Sequence, residues 1–196
     1  MARRAFLDLD TQFDFMDPAG ALYFAGAQAT IPNLKRLIDA ARETGIPVIS
    51  SIDAHIENDP EFGEWPPHCV AGTPGQHKIP ETTLADTVVI ENRPQPIDLR
   101  PGAQVQLEKR ISGLFDNVNA DVVLRKIGAH EFFVFGVATE YGVKAAVLGL
   151  LERGNRVGVV TDAISAVTEE GGSAALNAMR VAGALLLTTD EVLASL

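Results

Sequence analysis

The sequence is poor in cysteine and in long apolar runs. Its single cysteine, Cys69, excludes an internal disulfide bond. No run approaches the roughly 18 consecutive apolar residues that a membrane-spanning helix needs, so we predict no membrane segment. The N-terminus is basic, but Asp8 and Asp10 interrupt the apolar stretch that a secretory signal requires. We therefore expect a cytoplasmic protein.

Positive charge is also scarce. Sixteen lysines and arginines stand against 26 aspartates and glutamates, which gives a net charge of −10. Because no basic block offsets this charge, we expect neither nucleic acid nor an anionic membrane as a partner. The chain has 196 residues, of which 46% are hydrophobic, enough for a sizeable core. We expect a single domain over residues 1–196 that acts on a small molecule.

Apolar runs alternate with helical patterns along the chain. We predict main strands at residues 5–10, 47–52, 105–109, 131–135, 156–161 and 184–188, and a short edge strand at 87–90. Helices are predicted at 31–44, 117–127, 140–153, 171–182 and 190–195, the first of them capped by Thr30. This alternation predicts an α/β fold, a doubly wound and mainly parallel six-stranded sheet between two helical layers.

Charged side chains fall at the carboxyl ends of the predicted strands, where such sheets bind ligands. Asp10 ends the first strand, Asp53 the second and Lys109 the third, while a glycine-containing turn at 136–143 follows the fourth. Backbone N–H groups at such a turn can hold an anion or a developing oxyanion. A nearby lysine would keep Asp10 ionised, whereas burial would raise its pKa. The alternative for Asp10 and Lys109 is a purely structural ion pair.

A second constellation follows the second strand. Asp53 and His55 lie two residues apart, so their side chains can point the same way, and Glu61 and His68 follow in a proline-rich loop. Two imidazoles and two carboxylates suit a divalent transition metal, and ligand type alone does not separate zinc, iron and manganese. On spacing alone, scattered surface residues are the alternative.

Three stretches resemble the nicotinamidase/isochorismatase superfamily, often called cysteine hydrolases. Residues 10–15, DTQFDF, are similar to its D-x-Q-x-D-F signature, residues 65–75 resemble the nicotinamidase metal loop, and residues 136–143 resemble the turn G-V-A-T-D-Y-C-V. Residues 109–115 agree less closely with the pattern K-x-x-x-S-A-F. The resemblance covers nearly the whole chain and implies an isochorismatase-like fold. Because relatives are commonly oligomeric, we expect a homo-oligomer, with residues 173–182 and 184–187 at the interface.

The resemblance also implies catalytic roles. Asp10 matches the family's general base, and Lys109 matches the lysine that pairs with it. The backbone N–H groups of Ala138 and Gly142 match the oxyanion hole, which has a cis peptide before Ala138. Asp14 is expected to be structural and to bond to nearby loop amides.

The resemblance also assigns residues to a metal site and to a substrate-binding slot. The resemblance implies Asp53, His55 and His68 as metal ligands, with Glu61 as the fourth, directly or through water. Zinc is the expected ion, with iron or manganese as alternatives. Phe15 and Trp65 are expected to flank a planar substrate, with a place in the core as the alternative for both. Tyr141 is expected to line the same slot.

Glycine occupies position 142, where nicotinamidases carry the nucleophilic cysteine. Glycine offers no nucleophile, and Cys69 is expected to be a packing residue. Three functions stay open. The first is hydrolysis of a small, planar amide by bound water, with Asp10 as base. The second is hydrolysis of a vinyl ether with Asp10 as general acid, as in isochorismatases, which also carry this glycine. The third is ligand binding without catalysis, with the glycine either natural or engineered. Isochorismatases generally lack the metal loop, which favours the nicotinamidase branch.

Overall fold

The protein is built around one parallel β-sheet. The computed structural model describes residues 3–111 and 113–196. Across these residues, neighbouring strands all pair in parallel. The sheet has the order β3-β4-β2-β1-β5-β6-β7 and the following strands: β1 Arg4–Leu9, β2 Val48–Asp53, β3 Thr87–Ile90, β4 Gln104–Lys109, β5 Glu131–Val137, β6 Arg156–Ser165 and β7 Leu185–Leu187. The predicted count of six was too low, because the short edge segment pairs fully with β4 as β3.

Helices cover both faces of the sheet: α1 Phe13–Met16, α2 Ile31–Thr44, α3 Ala120–Ile127, α4 Lys144–Glu152, α5 Glu169–Val181 and α6 Thr189–Ser195. Helix α2 has the predicted bounds, and Gly45 ends it with φ 72°. Thr30 does not cap it as predicted. A 3₁₀ turn runs directly into the helix, and the Thr30 hydroxyl donates to the carbonyl of Ala27 at 2.7 Å instead. None of the helices in the described ranges combines the length and apolarity needed to cross a bilayer.

Two other helix predictions differ from the structure for local reasons. Helix α3 begins three residues later than predicted, because the buried Asn117 side chain donates to the carbonyls of Ile90 and Glu108 and holds the chain extended. Helix α4 begins at Lys144, because a π-helical turn precedes it. The segment after β1, predicted as a loop, forms the single turn of α1.

Alternation of side chains along β1 divides the interior into two apolar cores. Leu7 and Leu9 pack with α3 and α4 on one face, whereas Phe6 packs with α2 and α6 on the other. On that second face, the rings of Phe133 and Phe135 meet Phe6 edge to face, with centroids 6.0 and 5.7 Å away. The result is the predicted three-layer α/β/α arrangement.

The chain reverses its winding direction between β1 and β5, which are neighbours in the sheet. Gly136 of β5 lies opposite Leu9 with φ 112°, and a Cβ there would come within 2.1 Å of the Leu9 carbonyl oxygen. Only glycine therefore allows this close approach. Asp10 and the turn after β5 emerge side by side, at the point where such sheets bind ligands.

The surface predicted to mediate self-association exposes apolar side chains. Val181 at the end of α5 is 73% exposed, and Leu185 on the edge strand β7 is 55% exposed. Both have the accessibility that an interface requires. Self-association itself stays a prediction.

Candidate active site

A cavity of about 180 Å³ lies at the carboxyl ends of the central strands. Strand ends supply Asp10, Asp53 and Lys109, and the turn after β5 supplies Ala138 and Gly142. All the site residues predicted from the sequence line this cavity except His55, which is fully buried behind it. The fold thus brings together motifs that are up to about 130 residues apart in the chain.

Lys109 lies between two carboxylates at the floor of the cavity. Its Nζ is 3.1 Å from Asp10 Oδ2 and 2.5 Å from Asp53 Oδ1, and all three side chains are nearly inaccessible to solvent. The Ser51 hydroxyl donates to the other oxygen of Asp10 at 2.6 Å. Asp10 itself has φ 51°, a left-handed conformation that aspartate tolerates better than most residues. This conformation redirects the chain directly after β1.

Burial and charge compete at these groups. Burial raises the pKa of Asp10 to about 6, because the opposing attraction of Lys109 only partly offsets it and the Asp53 carboxylate adds to it. For Lys109, burial acts to lower the pKa, but Asp10 and Asp53 together raise it above its usual range. Lys109 is therefore a permanent cation, whereas Asp10 can exchange a proton near neutral pH.

The predicted metal ligands converge beside this ion pair. Donor atoms of Asp53, His55 and His68 all lie within 4.8 Å of one another. His55 Nε2 is 4.0 Å from Asp53 Oδ2 and 3.9 Å from Glu61 Oε2. Nε2 of His55 and Oε2 of Glu61 are buried and find no hydrogen-bond partner among the described residues. Buried polar atoms are rarely left unpaired, so this donor set fits a divalent cation.

His68 is oriented by the proline-rich loop. Its Nδ1 lies 2.8 Å from the carbonyl oxygen of Pro66, which can only accept a hydrogen bond. The proton is therefore on Nδ1, and Nε2 keeps its lone pair. This is the tautomer that a metal ligand needs.

The D-x-Q-x-D-F signature holds the loop against the sheet. The Gln12 amide donates to the carbonyls of Asp53 and Gln76 at 2.8 and 2.7 Å, and its oxygen accepts from the Asp53 amide at 2.7 Å. Asp14 accepts from the backbone N–H groups of Cys69 and Ala21 at 2.7 and 3.0 Å. The predicted structural role of Asp14 is thus confirmed.

Aromatic side chains form the walls of the cavity. Trp65 and Tyr141 meet edge to face with centroids 5.9 Å apart, and Phe15 lies 5.4 Å from the His68 ring. The sequence analysis missed further apolar residues of the lining: Leu22, Tyr23, Phe24, Ile111, Val137 and Val167. Apolar side chains carry no chemical signal, so only the path of the chain reveals them.

The turn after β5 has the cis peptide that the resemblance implied, followed by a turn that was not predicted. The peptide between Val137 and Ala138 is cis, and a π-helical turn, Thr139–Val143, follows it. The Glu140 carboxylate accepts from the backbone N–H groups of Val167 and Thr168 at 3.1 and 2.9 Å. This contact ties the turn to the start of α5. Ser112, in the stretch that resembles K-x-x-x-S-A-F, lies outside the described residues.

Cys69 is separate from the cavity. Its side chain is buried, and its Sγ donates to the carbonyl of Gly75 at 3.8 Å. Burial raises the pKa of the thiol far above its usual range, and nearby carboxylates add to the effect. A thiol in this environment is inert, which agrees with the predicted packing role.

Comparison with known proteins identifies the family. The isochorismatase domain model matches residues 4–191. The nicotinamidase of Escherichia coli (strain K12) is 31% identical over 97% of this chain and 97% of its own. Among solved structures, an isochorismatase-like hydrolase from Alkaliphilus metalliredigens superimposes with a TM-score of 0.83 at 25% identity, over 99% of both chains. A pyrazinamidase of Pyrococcus horikoshii in complex with zinc has a TM-score of 0.79 at 29% identity, over 95% of this chain and 99% of that one. The chain belongs to the isochorismatase domain family, and its relatives include hydrolases of small amides.

Proposed function

We propose that the protein hydrolyses the C–N bond of a small, neutral, planar amide, with water as the nucleophile in place of an enzyme thiol. The observation that carries this proposal is the placement of Asp10. Its carboxyl lines the same cavity as Ala138 and Gly142, beside Lys109 and the candidate metal ligands. The cavity thus combines groups that can bind a substrate, a base, and groups that can stabilise negative charge on a carbonyl oxygen. Only a covalent nucleophile is missing.

Position 142 removes the covalent route. The family resemblance assigns the nucleophilic cysteine to this position, and glycine has no side chain that could attack a carbonyl. The only thiol of the chain, Cys69, is buried away from the cavity. A water molecule must therefore attack the amide carbon directly. We expect hydrolysis of nicotinamide to be slow compared with an enzyme that has the cysteine.

Asp10 acts as general base in this reaction. Its ionised carboxylate takes a proton from the attacking water as the oxygen bonds to the amide carbon. The negative charge that develops on the carbonyl oxygen is held by the backbone N–H groups of Ala138 and Gly142. Asp10 then returns the proton to the leaving nitrogen, so that the C–N bond breaks and ammonia and a carboxylic acid form. The acid gives its remaining proton to solvent or to ammonia and leaves as the carboxylate. Lys109 keeps its proton throughout and stabilises the ionised form of Asp10.

The metal would be held by Asp53, His55, His68 and Glu61. When bound, a divalent ion supplies a Lewis acid that polarises a carbonyl or lowers the pKa of a water. Nitrogen and carboxylate donors suit zinc, and iron or manganese are alternatives. The zinc complex of the Pyrococcus horikoshii relative supports the assignment.

Metal content gives a direct test of these ligands. We expect protein purified without chelator or nickel resin to carry close to one zinc, iron or manganese per chain. The His68→Ala variant should lose most of it, because one imidazole of a small donor set is gone. Control variant His77→Ala removes an exposed histidine outside the cluster and should bind metal normally. Elemental analysis showing less than about 0.1 metal per unmodified chain, not restored by adding these ions, would contradict the ligand assignment.

The charge of the cavity favours an amide over a vinyl ether. Lys109 is the only lysine or arginine among the described residues that line it, and two carboxylates already surround its ammonium group. Isochorismate is a dicarboxylate, and apart from the proposed metal ion the described lining offers no free cationic group to pair with its two carboxylates. A neutral aromatic amide fits the aromatic walls of Phe15, Trp65 and Tyr141 without a charge penalty.

The pH profile separates the two chemistries. As a base, Asp10 must be ionised, so kcat/KM for an amide should rise with pH through a midpoint near 6 and then level off. As an acid on a vinyl ether, Asp10 must be protonated, and activity should fall over the same range. A bound cation would lower the pH at the midpoint, but kcat/KM for an amide would still rise with pH. The measurement is the rate of ammonia release from nicotinamide or pyrazinamide between about pH 5 and 8 in metal-loaded protein. A profile that declines with increasing pH would contradict the assignment of Asp10 as base.

A further inference from the structure

A carboxylate lies directly behind the candidate metal ligands. Asp59 is buried in the proline-rich loop, and its Oδ2 is 3.2 Å from Nδ1 of His55. The other ring nitrogen, Nε2, is the one that faces Asp53 and Glu61. The contact is close, but it is not aligned as a good hydrogen bond, and neither atom has a hydrogen-bond partner among the residues described. The His55 ring is wholly buried, and the rings of Phe62 and His68 pack against it at 5.3 and 4.7 Å.

We propose that Asp59 is a positioning residue of the metal centre, which fixes both the tautomer of His55 and the place of Glu61. This inference rests on the metal site proposed above. It concerns a residue outside the ligand set proposed above, although its carboxylate lies within 4.8 Å of donor atoms of His55 and Glu61, and it does not line the cavity.

The first part of the argument concerns the proton of His55. A neutral imidazole carries one N–H, and a carboxylate opposite Nδ1 can only accept, so the proton is favoured on Nδ1. Nε2 then keeps its lone pair, facing Asp53 Oδ2 at 4.0 Å and Glu61 Oε2 at 3.9 Å. Carboxylates in this position behind a ligating histidine orient the ring and raise its basicity as a ligand.

The second part concerns the other oxygen of the same carboxylate. Asp59 Oδ1 accepts from the backbone N–H of Glu61 at 3.2 Å and caps the 3₁₀ turn Pro60–Gly63. One side chain therefore links two ligands, His55 through its ring and Glu61 through its backbone. The guanidinium of Arg110 lies 3.9 Å from Oδ2, on the solvent side of the loop, and helps to keep Asp59 in place.

Asparagine at position 59 separates these two effects. Its oxygen can still accept from the Glu61 amide and keep the turn, but its NH₂ group then faces His55 Nδ1 as a donor. A donor there favours the tautomer with the proton on Nε2, and a protonated Nε2 has no lone pair to give to a metal among Asp53 and Glu61. Asp59→Asn should thus preserve the fold and weaken metal binding, whereas Asp59→Ala should disturb both the turn and the metal site.

The experiment measures zinc affinity by competition with a chromogenic chelator. We expect Asp59→Asn to bind zinc about 10- to 100-fold more weakly than the unmodified protein, with an unchanged unfolding midpoint of the metal-free form. The matched control is Glu57→Gln, which removes an exposed carboxylate two residues away and should bind zinc normally. Equal zinc affinity in Asp59→Asn and the unmodified protein would overturn the inference while leaving the metal site intact. Failure of the unmodified protein to bind zinc, manganese or iron would overturn the metal site as well.

Ring ¹⁵N NMR of the unmodified, metal-free protein gives a test that needs no variant. The signals of His55 should show the proton on Nδ1, and the same signals in Asp59→Asn should shift toward the other tautomer. A contact that only fills space, without a hydrogen bond to the ring, would not move this equilibrium. A proton found on Nε2 of His55 in the unmodified protein would overturn the role of Asp59.

Discussion

Replacing Asp10 with asparagine should lower kcat/KM for a neutral amide by about 10²- to 10⁴-fold, the range that a positioned general base contributes. Asparagine keeps the shape of the side chain and can still accept the hydrogen bond from the Ser51 hydroxyl. It cannot take a proton from water. Lys109 keeps its ion pair with Asp53 at 2.5 Å, so its charge stays compensated and the fold should persist.

The loss should appear mainly in kcat. Asp10 acts on the attacking water, whereas the aromatic walls are expected to hold the substrate, so KM should change little. The control is Asp17→Asn, a change of the same chemistry outside the cavity lining. An Asp10→Asn variant that is folded and retains more than about a tenth of the activity would show that another group is the base.

Introducing cysteine at position 142 should have the opposite effect. In Gly142→Cys a thiol stands at the position that the family resemblance assigns to the nucleophile, in the same cavity as Asp10, and the reaction can pass through a thioester. We expect nicotinamide or pyrazinamide hydrolysis to rise by roughly 10²-fold or more, since loss of the nucleophile in a serine protease costs on the order of 10⁶. The variant should also become sensitive to iodoacetamide. The unmodified protein should resist it, because Cys69 is buried and its pKa is raised.

Gly142→Ala is the matched control for this gain. It adds a Cβ without a thiol, so any effect of filling the space is separated from the new chemistry. A Gly142→Cys variant that is folded and alkylated by iodoacetamide, yet no faster than Gly142→Ala, would contradict the assignment of this position and of its oxyanion site.

The residues at the floor of the site could be predicted from the sequence, because they lie at the ends of strands or in a glycine-containing turn. Asp10 and Lys109 carry charge at the ends of strands, and the order of helices and strands places those ends at one edge. The close approach of β1 and β5 depends on Gly136, which lies in the turn motif that the sequence displays. What the alternation of elements could not decide was the place of the short edge strand in the sheet.

The walls of the site were less predictable. Leu22, Tyr23 and Phe24 reach the cavity because Asp14 accepts from the Ala21 amide and fixes the path of that loop. Asp59 was missed because its meaning depends on the fold of a long proline-rich loop, which brings it behind His55. Periodicity does not extend into such loops, so their contacts cannot be derived from spacing.

The central claim is that this protein, with glycine at position 142, cleaves a neutral amide through Asp10 and without a cysteine nucleophile. The most direct measurement is ammonia release by metal-loaded, unmodified protein from nicotinamide, pyrazinamide and related planar amides, with isochorismate cleavage followed in parallel. We predict slow ammonia release from at least one amide, which Asp10→Asn abolishes and iodoacetamide leaves unchanged, and no cleavage of isochorismate. Cleavage of isochorismate that depends on Asp10, or no turnover of any of these amides by the metal-loaded protein, would contradict it.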